Sequence, residues 1–346
     1  MADTASRTDQ EPRSGPRTDA PGEGPEASAA SEVGAPARDI GPALEVSRRP
    51  SPVQRMVNVW RYRELLGNLT RKELKVKYKN SVLGFVWTLL NPTLYLVVFS
   101  VVFQEVLRVQ IPYYAIFFLS GLLVWNFFST ALGAGTSSIT MNAPLVQKVW
   151  FPREILPLAS IGAAMVHFAL QATVLVAALG IFRRAPSTDY LPAVPLAVLV
   201  LVVLASALAI ALSAVNVYLR DTQHLLELAL LAWFWLSAIV YPYSLIADRL
   251  GPTREWMASL NPIIPIVITF QKALYNPDTP RFRWYTNSPV FDPNNVLADQ
   301  GAQAIPDHSL SWYITNLSII GVVAIGLFFG ALWLFGRLED DLAEEI

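Results

Sequence analysis

Residues that could carry catalysis are sparse in this sequence. We find no GxxxxGK(S/T) phosphate-binding loop, no HExxH metal-binding pair and no GxSxG nucleophile turn along the 346 residues. The chain also contains no cysteine, which excludes structural disulfides and thiolate metal sites. We therefore expect that the chain is not an enzyme, and that any work driven by ATP comes from another polypeptide.

Ionisable side chains are also few inside the apolar segments. Ion-coupled transport usually needs carboxylates or histidines within membrane spans. Here Glu105 and Glu227 lie near segment ends, and His167 lies inside one segment. Because Gln171 follows His167 by about one helical turn on the same face, a hydrogen-bonded packing role is more typical of this histidine than a proton relay. The segments therefore lack the groups that a proton pump requires.

Aromatic side chains are the more unusual group with chemical potential. Their rings can hold the apolar faces of sugars with little directional demand, and Tyr and Trp add a polar edge. Tyr95 and Phe99 lie one turn apart near the middle of their segment, where an interfacial aromatic belt does not explain them. For the other positions a lipid-facing belt or core packing is the alternative. The residues that we predict to line a passage are Trp87, Tyr95, Phe99, Phe103, Trp233, Trp235 and Tyr241.

The elements that must position these rings are membrane-spanning helices. With 53% hydrophobic and 15% charged residues and a mean hydropathy of +0.39, the chain is too apolar for a soluble globular protein. A hydrocarbon core of about 30 Å requires about 20 helical residues. We predict an all-α integral membrane fold with six transmembrane helices, at residues 83–107, 113–134, 155–182, 191–218, 225–246 and 312–335.

A basic amphipathic helix is predicted at residues 56–80, directly before the first span. At helical spacing it has one apolar stripe and a basic flank away from that stripe. Such a helix lies in the membrane interface, with its stripe in the acyl boundary and its cations among anionic headgroups. Glu73 and Lys77 interrupt the pattern. The stripe consists of Val59, Tyr62, Leu65, Leu66, Leu69 and Val76, and the flank consists of Arg61, Arg71, Lys72, Lys75 and Lys79.

The N-terminal region also predicts the orientation. Residues 1–55 are expected to form a disordered tail, because they are rich in Pro, Gly, Ala and Ser and contain almost no large apolar side chain. Ten Lys and Arg residues from Arg48 to Lys79 precede the first span, which by the positive-inside rule places that side in the cytoplasm. Arg183 and Arg184, in an outer loop, count mildly against this orientation. We expect a multi-pass protein of the inner (plasma) membrane with both termini in the cytoplasm.

One further apolar segment, WMASLNPIIPIVITFQKALY at residues 256–275, has the length of a seventh span. Counting it would move the C-terminus outside, and Asn261, Pro262 and Pro265 break it near its start. We predict a re-entrant helical hairpin between spans five and six, since irregular backbone is tolerated at membrane depth inside protein. An interfacial helix on the outer leaflet is the alternative.

The cytoplasmic loop after the second span, residues 140–157, reads TMNAPLVQKVWFPREILP. A short amphipathic piece is followed by Pro152 at a turn, and a loop of this kind can dock into a groove on a soluble partner. A plain surface connection is the alternative. The residues that we predict to couple the chain to such a partner are Leu145, Val146, Lys148, Phe151 and Arg153.

Five ordered stretches carry a resemblance to a known family. They are YKNSVLGFVWTLLNP (78–92), NAPLVQKVWFPREILP (142–157), NVYLRDTQHLLEL (216–228), YPYSLI (241–246) and LNPIIPI (260–266). Together with the six-span pattern, they resemble the membrane subunit of ABC exporters of the type-2 class, in the branch that exports polysaccharides and polyol phosphates. The resemblance covers residue 60 to the C-terminus.

This resemblance implies an assembly and a cargo. The chain would form a homodimer whose spans one and five enclose a channel, and two copies of a separate nucleotide-binding subunit would bind ATP and Mg²⁺. No cofactor is expected in this chain, and no nucleic acid is expected as a partner. Residues 56–80 would be a gate helix, 142–153 the coupling region, and 256–275 the re-entrant closure at the outer side, with Asn261, Pro262 and Pro265 at the exit. The cargo would be a glycan on polyprenyl diphosphate or a lipid-linked polyol phosphate, received by Arg61, Lys72, Lys75 and Lys79.

The cargo and two other functions stay open on the sequence. The Ala-, Pro- and Arg-rich tail suggests a GC-rich actinobacterial genome, for which a galactan is a possible cargo. An integral-membrane transferase acting on polyprenyl-linked sugars would share the lipid substrate, but it would need an acidic metal-binding loop. Neither cytoplasmic loop between spans carries a cluster of acids. A type-2 permease for a drug or lipid would share the fold and differ in its cargo.

Overall fold

The computed structural model describes residues 50–79, 81, 83–84, 86–106, 111, 113–244, 246, 260–275 and 305–339. Within these ranges every regular element is helical, which confirms the predicted all-α class. The tail up to residue 49 and the outer loop 276–304 lie outside the described residues. The helices are α1 (Pro52–Arg61), α2 (Arg63–Tyr78), α3 (Val86–Ser100), α4 (Tyr114–Met141), α5 (Ala143–Lys148), α6 (Ile155–Ile181), α7 (Ala193–Tyr218), α8 (Thr222–Trp235), α9 (Ile263–Tyr275) and α10 (Leu310–Leu338), and a π-helical turn, Val101–Val106, continues α3.

Five helical stretches of the described chain are long and apolar enough to cross a membrane. They are Val86–Phe103, Tyr114–Met141, Ile155–Ile181, Ala193–Tyr218 and Leu310–Leu338. The predicted fifth span, 225–246, instead contains the 14-residue helix α8, and the chain turns after Trp235. At 1.5 Å per residue α8 extends about 21 Å, which is short of a hydrocarbon core of about 30 Å. The count of six spans therefore stays a prediction.

α4 is the central helix of the bundle. It packs against α3, α6, α7, α8 and α9. In its most apolar stretch 78% is buried, compared with 6% in the corresponding stretch of α3 and its π-helical turn. Gly135 lets α4 approach α7 closely, because a Cβ at this position would lie 2.6 Å from the Cβ of Ala209. α3 is therefore the spanning helix with the most surface left for lipid, another protein or a passage.

The segment predicted to be re-entrant contains α9, which has 13 residues. All of them except Leu274 are buried, against α4, α7 and α10. A helix of this length extends about 20 Å and does not cross the bilayer. Its burial does not fit a helix resting on the outer leaflet. Residues 247–259, which contain the expected first arm of the hairpin, lie outside the described residues, so the hairpin stays a prediction.

The predicted amphipathic helix is present as two helices that meet at Tyr62. α1 begins at Pro52, four residues before the predicted start, and Ser51 caps it through reciprocal hydrogen bonds with Gln54. The apolar side chains at Val59, Tyr62, Leu65, Leu66 and Leu69 lie on one face, as predicted, and pack against a protein cluster that contains Val146, Phe151 and Ile155.

The partner of that stripe differs from the prediction. The stripe was expected to enter the acyl boundary, but it is covered by protein, and its last member, Val76, is 64% exposed. The apolar face that does stay exposed belongs to α1. It consists of Val53, Met56, Val57 and Trp60, which follow the i, i+3, i+4, i+7 spacing of one helical face. α1 is thus the segment whose surface fits a membrane interface.

Candidate functional site

Three of the predicted channel residues form one row of rings along α3 and its π-helical turn. The centroid of Phe99 lies 6.2 Å from that of Tyr95 and 6.0 Å from that of Phe103. Phe99 also stacks on Phe118 of α4 at 5.0 Å and lies 6.4 Å from Trp235 of α8. Tyr95 and Trp235 are 43% and 47% exposed. We call Tyr95, Phe99, Phe103 and Trp235 the aromatic row, and it gives α3 and α8 a common surface.

The other predicted channel residues have different surroundings. The indole N–H of Trp233 donates to the side-chain oxygen of Asn261 at 2.8 Å, and its ring meets Phe128 edge-on at 5.1 Å. The hydroxyl of Tyr241 donates to the carbonyl of Trp235 at 2.5 Å. The hydrogen bonds of both side chains therefore stabilise the turn after α8. Trp87 is 56% exposed and lies beside a polar cavity between α3, α4 and α6.

The predicted exit residues hold the start of α9. Asn261 donates through its amide to the carbonyl of Leu236 at 3.0 Å and to the hydroxyl of Ser237 at 3.1 Å, and its side-chain oxygen accepts from the backbone N–H of Ile263. Pro262 lies in the turn before the helix. Pro265 is buried in the first helical turn, where its carbonyl accepts from the hydroxyl of Thr269. Asn261 therefore connects the turn after α8 to the start of α9, and the two prolines lie at that start.

The cations predicted to receive the diphosphate are all exposed. They are Arg61, Lys72, Lys75 and Lys79. The ammonium of Lys72 donates to the side-chain oxygen of Asn142 at 2.9 Å. Since Asn142 directly precedes α5, this bond joins α2 to the predicted coupling region.

A second face of α2 packs along the first half of α6, and it contains the two residues that interrupt the amphipathic pattern. The hydroxyl of Ser160 donates to the carboxylate of Glu73 at 2.8 Å, and the ammonium of Lys77 lies 3.5 Å from Nδ1 of His167. A Cβ on Gly162 would lie 2.8 Å from the hydroxyl oxygen of Thr70. We call this contact the α2–α6 seam.

The α2–α6 seam contains ionisable side chains, so an analysis based on apolar spacing counts its residues as interruptions. Burial raises the pKa of Glu73, and the hydrogen bond from Ser160 and the charge of Lys72 oppose this. Partial burial lowers the pKa of Lys77, although its side chain keeps an exposed part. Thr70, Glu73 and Lys77 follow the i, i+3, i+7 spacing of one helix face. That spacing is the signal that could have identified the seam from the sequence.

A buried ion cluster joins three helix ends on the side of the bundle where α5 lies. Arg55 of α1 is 5% exposed, and its guanidinium lies 2.5 Å from the carboxylate of Glu154 and 2.6 Å from that of Glu339. Glu154 precedes α6 and Glu339 follows α10. We call these three residues the Arg55 clamp. A Cβ on Gly336 would lie 2.9 Å from Nε of Arg55, so a side chain at this position would require the guanidinium to shift.

Both carboxylates favour the charged form of Arg55, whereas burial and the charge of Glu339 raise the pKa of Glu154. Burial alone would lower the pKa of Arg55, but the hydrogen bond to Glu154 and the charges of Glu339 and Glu154 outweigh it, so the pKa is raised. Arg153 adds a bond from its guanidinium to the carbonyl of Glu339 at 2.8 Å. Sequence reasoning missed Arg55 because Glu154 lies 99 residues away along the chain. No local spacing reports such a contact.

The predicted coupling residues separate into inward and outward sets. Val146 and Phe151 are 6% and 4% exposed and belong to the cluster under α2, and Leu145 packs against it. Lys148 is exposed. Trp150, which the prediction omitted, is 81% exposed. The loop therefore has an anchored side and an exposed side, and Trp150 is the large apolar group on the exposed side.

Comparisons with known proteins agree with the resemblance. Residues 64–275 match the model of the family described as ABC-2 type transporter. The O-antigen export system permease protein RfbA of Myxococcus xanthus is 36% identical over 217 residues, which cover 63% of this chain and 82% of that protein. The protein of the same name from Klebsiella pneumoniae is 29% identical over 213 residues, which cover 62% of this chain and 81% of the relative.

The family match includes most of the features described above. It extends from the start of α2 to the end of α9, and so contains the aromatic row, the α2–α6 seam and α5. It supports a permease and not an enzyme, as expected, and it decides against the transferase alternative. With five spanning helices and this match, the chain is a multi-pass membrane permease that belongs to the ABC-2 type transporter family.

Proposed function

We propose that this chain is the membrane subunit of an ATP-driven exporter that moves a polysaccharide linked to polyprenyl diphosphate from the cytoplasm across the inner membrane. The observation that carries the proposal is the aromatic row, in which Tyr95 and Trp235 are exposed on a common surface of α3 and α8. Rings stack on sugar C–H faces without fixed hydrogen bonds, so a repeating glycan can slide along them. The relatives named as O-antigen export permeases support this cargo class, and a galactan is one possible cargo.

The proposal includes a homodimer. α3 has little buried surface of its own, and its exposed ring at Tyr95 and the exposed ring of Trp235 on α8 both lie beside Phe99. Two copies that face each other through α3 and α8 would enclose a passage lined by two aromatic rows. The surfaces of a half-channel are expected to be exposed in a single chain, and this is the arrangement observed for Tyr95 and Trp235.

The proposal also includes two copies of a separate nucleotide-binding subunit that hold ATP and Mg²⁺. The exposed side of the α5 loop, with Lys148 and Trp150, fits a contact with such a subunit. The anchored side, with Val146 and Phe151, would pass motion of the loop to α2 and α6. In this arrangement the loop needs both faces.

We further propose that the clamp side of the bundle faces the cytoplasm, with both termini there. The ten Lys and Arg residues from Arg48 to Lys79 support this orientation. α1 would then rest in the cytoplasmic interface through Trp60 and its apolar neighbours. Arg61, Lys75 and Lys79 are exposed and would attract the anionic diphosphate to the entrance.

Export in cells tests the proposal. In a strain lacking this gene, the wild-type chain should restore glycan at the cell surface, and Tyr95→Ala and Trp235→Ala should each lower the export rate by about two- to tenfold, since a ring contact contributes about 0.5–1.5 kcal/mol. Both side chains are exposed, so their truncation spares the core. Trp333→Ala is the matched control, because Trp333 is 51% exposed on α10, outside the row.

Two results would contradict the proposal. Glycan export that is unchanged in both row variants would show that the rings do not guide a sugar chain. A gene deletion that leaves surface glycan intact but blocks movement of a drug or a bulk lipid would favour a permease with that other cargo. Quantifying glycan still linked to polyprenyl diphosphate inside the cells distinguishes blocked export from blocked synthesis.

A further inference from the structure

A polar cavity of about 560 Å³ lies between α3, α4 and α6, and the end of α2 closes one side of it. Its lining includes Trp87 and Asn91 from α3, Asn126 from α4, and His167 and Gln171 from α6. The amide of Asn126 donates to the side-chain oxygen of Gln171 at 3.0 Å. This bond fixes the two amides and leaves the amide hydrogens of Gln171 for another acceptor.

The charge in this cavity is positive and not neutralised by an acid. Lys77 is the charged residue of the lining, and none of the described residues that line the cavity is acidic. The ammonium lies 3.5 Å from Nδ1 of His167. His167 is 6% exposed, and its Nε2 has no hydrogen-bond partner among the described residues. A buried polar nitrogen without a partner costs free energy, so the cavity contains both a cation and a polar group that a ligand would satisfy.

The depth of the cavity makes this arrangement more unusual. His167 lies 12 residues after Ile155, the first residue of the 27-residue helix α6, which places it about 18 Å along the helix axis. If α6 is centred in a hydrocarbon core of about 30 Å, His167 lies closer to the midplane than to either interface. Ionisable groups at such depth are costly and usually mark a transported or bound polar group. Headgroup contact at the membrane surface therefore does not explain the pair of Lys77 and His167.

We propose that this cavity binds the phosphate group of a membrane lipid below the level of the membrane surface. The ammonium of Lys77 pairs with the phosphate oxygens, and the amides of Asn91 and Gln171 donate to the same headgroup. Leu90 and Leu94 lie on the lining beside these groups and contact the lipid chain. The proposal rests on the proposed function in one respect, because the diphosphate of a lipid-linked cargo is one source of the phosphate. An anionic phospholipid is the other.

Binding to the full chain in nanodiscs made of phosphatidylcholine tests this site without export or ATP. The probes are geranylgeranyl diphosphate, dioleoylphosphatidylglycerol, and geranylgeraniol as the uncharged counterpart of the first. We expect at least one phosphate lipid to bind more tightly than the alcohol. Lys77→Met should weaken that binding by about tenfold, since it removes a charge-assisted contact, and Asn91→Leu should weaken it by about threefold.

Lys75→Met is the matched control, because Lys75 is an exposed cation on the same helix and does not line the cavity. Thermal unfolding of every variant in the same nanodiscs verifies that it is folded. Lys75→Met should leave the affinity unchanged. Tighter binding of geranylgeranyl diphosphate than of phosphatidylglycerol identifies the cargo headgroup as the ligand. Equal or tighter binding of phosphatidylglycerol identifies a bulk anionic lipid. Both results support the phosphate site.

Two outcomes overturn the proposal. One is equal affinity for geranylgeranyl diphosphate, phosphatidylglycerol and geranylgeraniol, and the other is a loss in Lys75→Met as large as that in Lys77→Met. Because the assay contains no nucleotide-binding subunit, its failure is distinct from failure of the exporter function. A chain that exports glycan but shows no Lys77-dependent binding would refute this site alone.

Discussion

Replacing Arg55 with methionine should destabilise the fold strongly, although Arg55 is a charged residue near the start of the described chain. Glu154 is 1% exposed and Glu339 is 27% exposed as side chains, and Arg55 contacts both. Without the guanidinium, Glu154 stays buried with no cation, whereas Glu339 can recover water. Removing one partner of a buried ion pair costs about 3–5 kcal/mol. Because Glu339 is partly solvated, we expect a cost near the lower end, about 3 kcal/mol.

A double-mutant cycle separates this electrostatic cost from lost packing. Arg55→Met combined with Glu154→Gln leaves no unpaired buried carboxylate, so the double variant should be more stable than Arg55→Met alone, with a coupling free energy of about 2 kcal/mol. The measurement is reversible unfolding in mixed micelles, followed by the fluorescence of the 10 tryptophans. Arg61→Met is the control, because Arg61 is an exposed arginine on the same helix.

Two results would refute this reasoning. If Arg55→Met costs less than about 1 kcal/mol, the clamp behaves as an exposed salt bridge. If the two substitutions are additive, Arg55 and Glu154 do not stabilise each other, and the cost of Arg55→Met comes from packing.

Three further predictions concern the α2–α6 seam and the loop that contains α5. Gly162→Ala should destabilise the chain by about 1–3 kcal/mol, because the new Cβ would lie 2.8 Å from the hydroxyl oxygen of Thr70. Gly326→Ala is the control in the same unfolding assay. A Cβ on Gly326 meets nothing within 4 Å, so this substitution should be neutral or stabilising. Because the pKa of Glu73 is raised above 4.5 in the folded chain, the folded chain binds this proton more tightly than the unfolded chain. The free energy of unfolding should therefore fall as the pH rises from 4.5 through the raised pKa. Glu73→Gln should flatten this dependence between about pH 4 and 8. Trp150→Ala should reduce co-purification of a nucleotide-binding subunit by about tenfold with unchanged thermal unfolding, because a large exposed aromatic often anchors an interface, and undiminished co-purification would remove Trp150 from the contact.

Hydropathy predicted the long helices well because each is defined by residues next to one another in the chain. The predicted spans 155–182 and 191–218 match α6 (Ile155–Ile181) and α7 (Ala193–Tyr218) within two residues at every end. The span at 225–246 was predicted too long. Its residues are mostly apolar on both sides of Trp235, so composition did not signal the turn after Trp235, which Asn261 holds through hydrogen bonds from outside the predicted span.

The candidate site was less predictable, and the errors have one physical cause. The aromatic row follows helical spacing along α3, so most of it could be found. The amphipathic pattern assigned one buried face to α2, whereas the structure has two, one toward the cluster around Val146 and one along α6. Glu73 and Lys77 therefore counted as exceptions, although they contact Ser160 and His167. Polar contacts between helices leave no apolar signature, and a single sequence does not show which polar residues meet.

The two buried faces of α2 connect the loop proposed to contact a nucleotide-binding subunit with the passage proposed for the cargo. Just past the middle of α2, Lys72 bonds to Asn142, which directly precedes the loop proposed to contact the nucleotide-binding subunit. Five residues later, at the C-terminal end of α2, Lys77 lines the polar cavity next to α3. The helix between them is continuous and docked along α6, so a displacement of α5 would have a rigid path of about one and a half turns to the cavity and the start of α3. A helix in contact only with lipid could rotate about its own axis and would not transmit a displacement of α5. The contacts of α2 with Gly162 and Ser160 fix its position along α6. The same polar residues that weaken α2 as an interfacial helix therefore make it suitable for passing motion from the proposed coupling loop to the proposed passage.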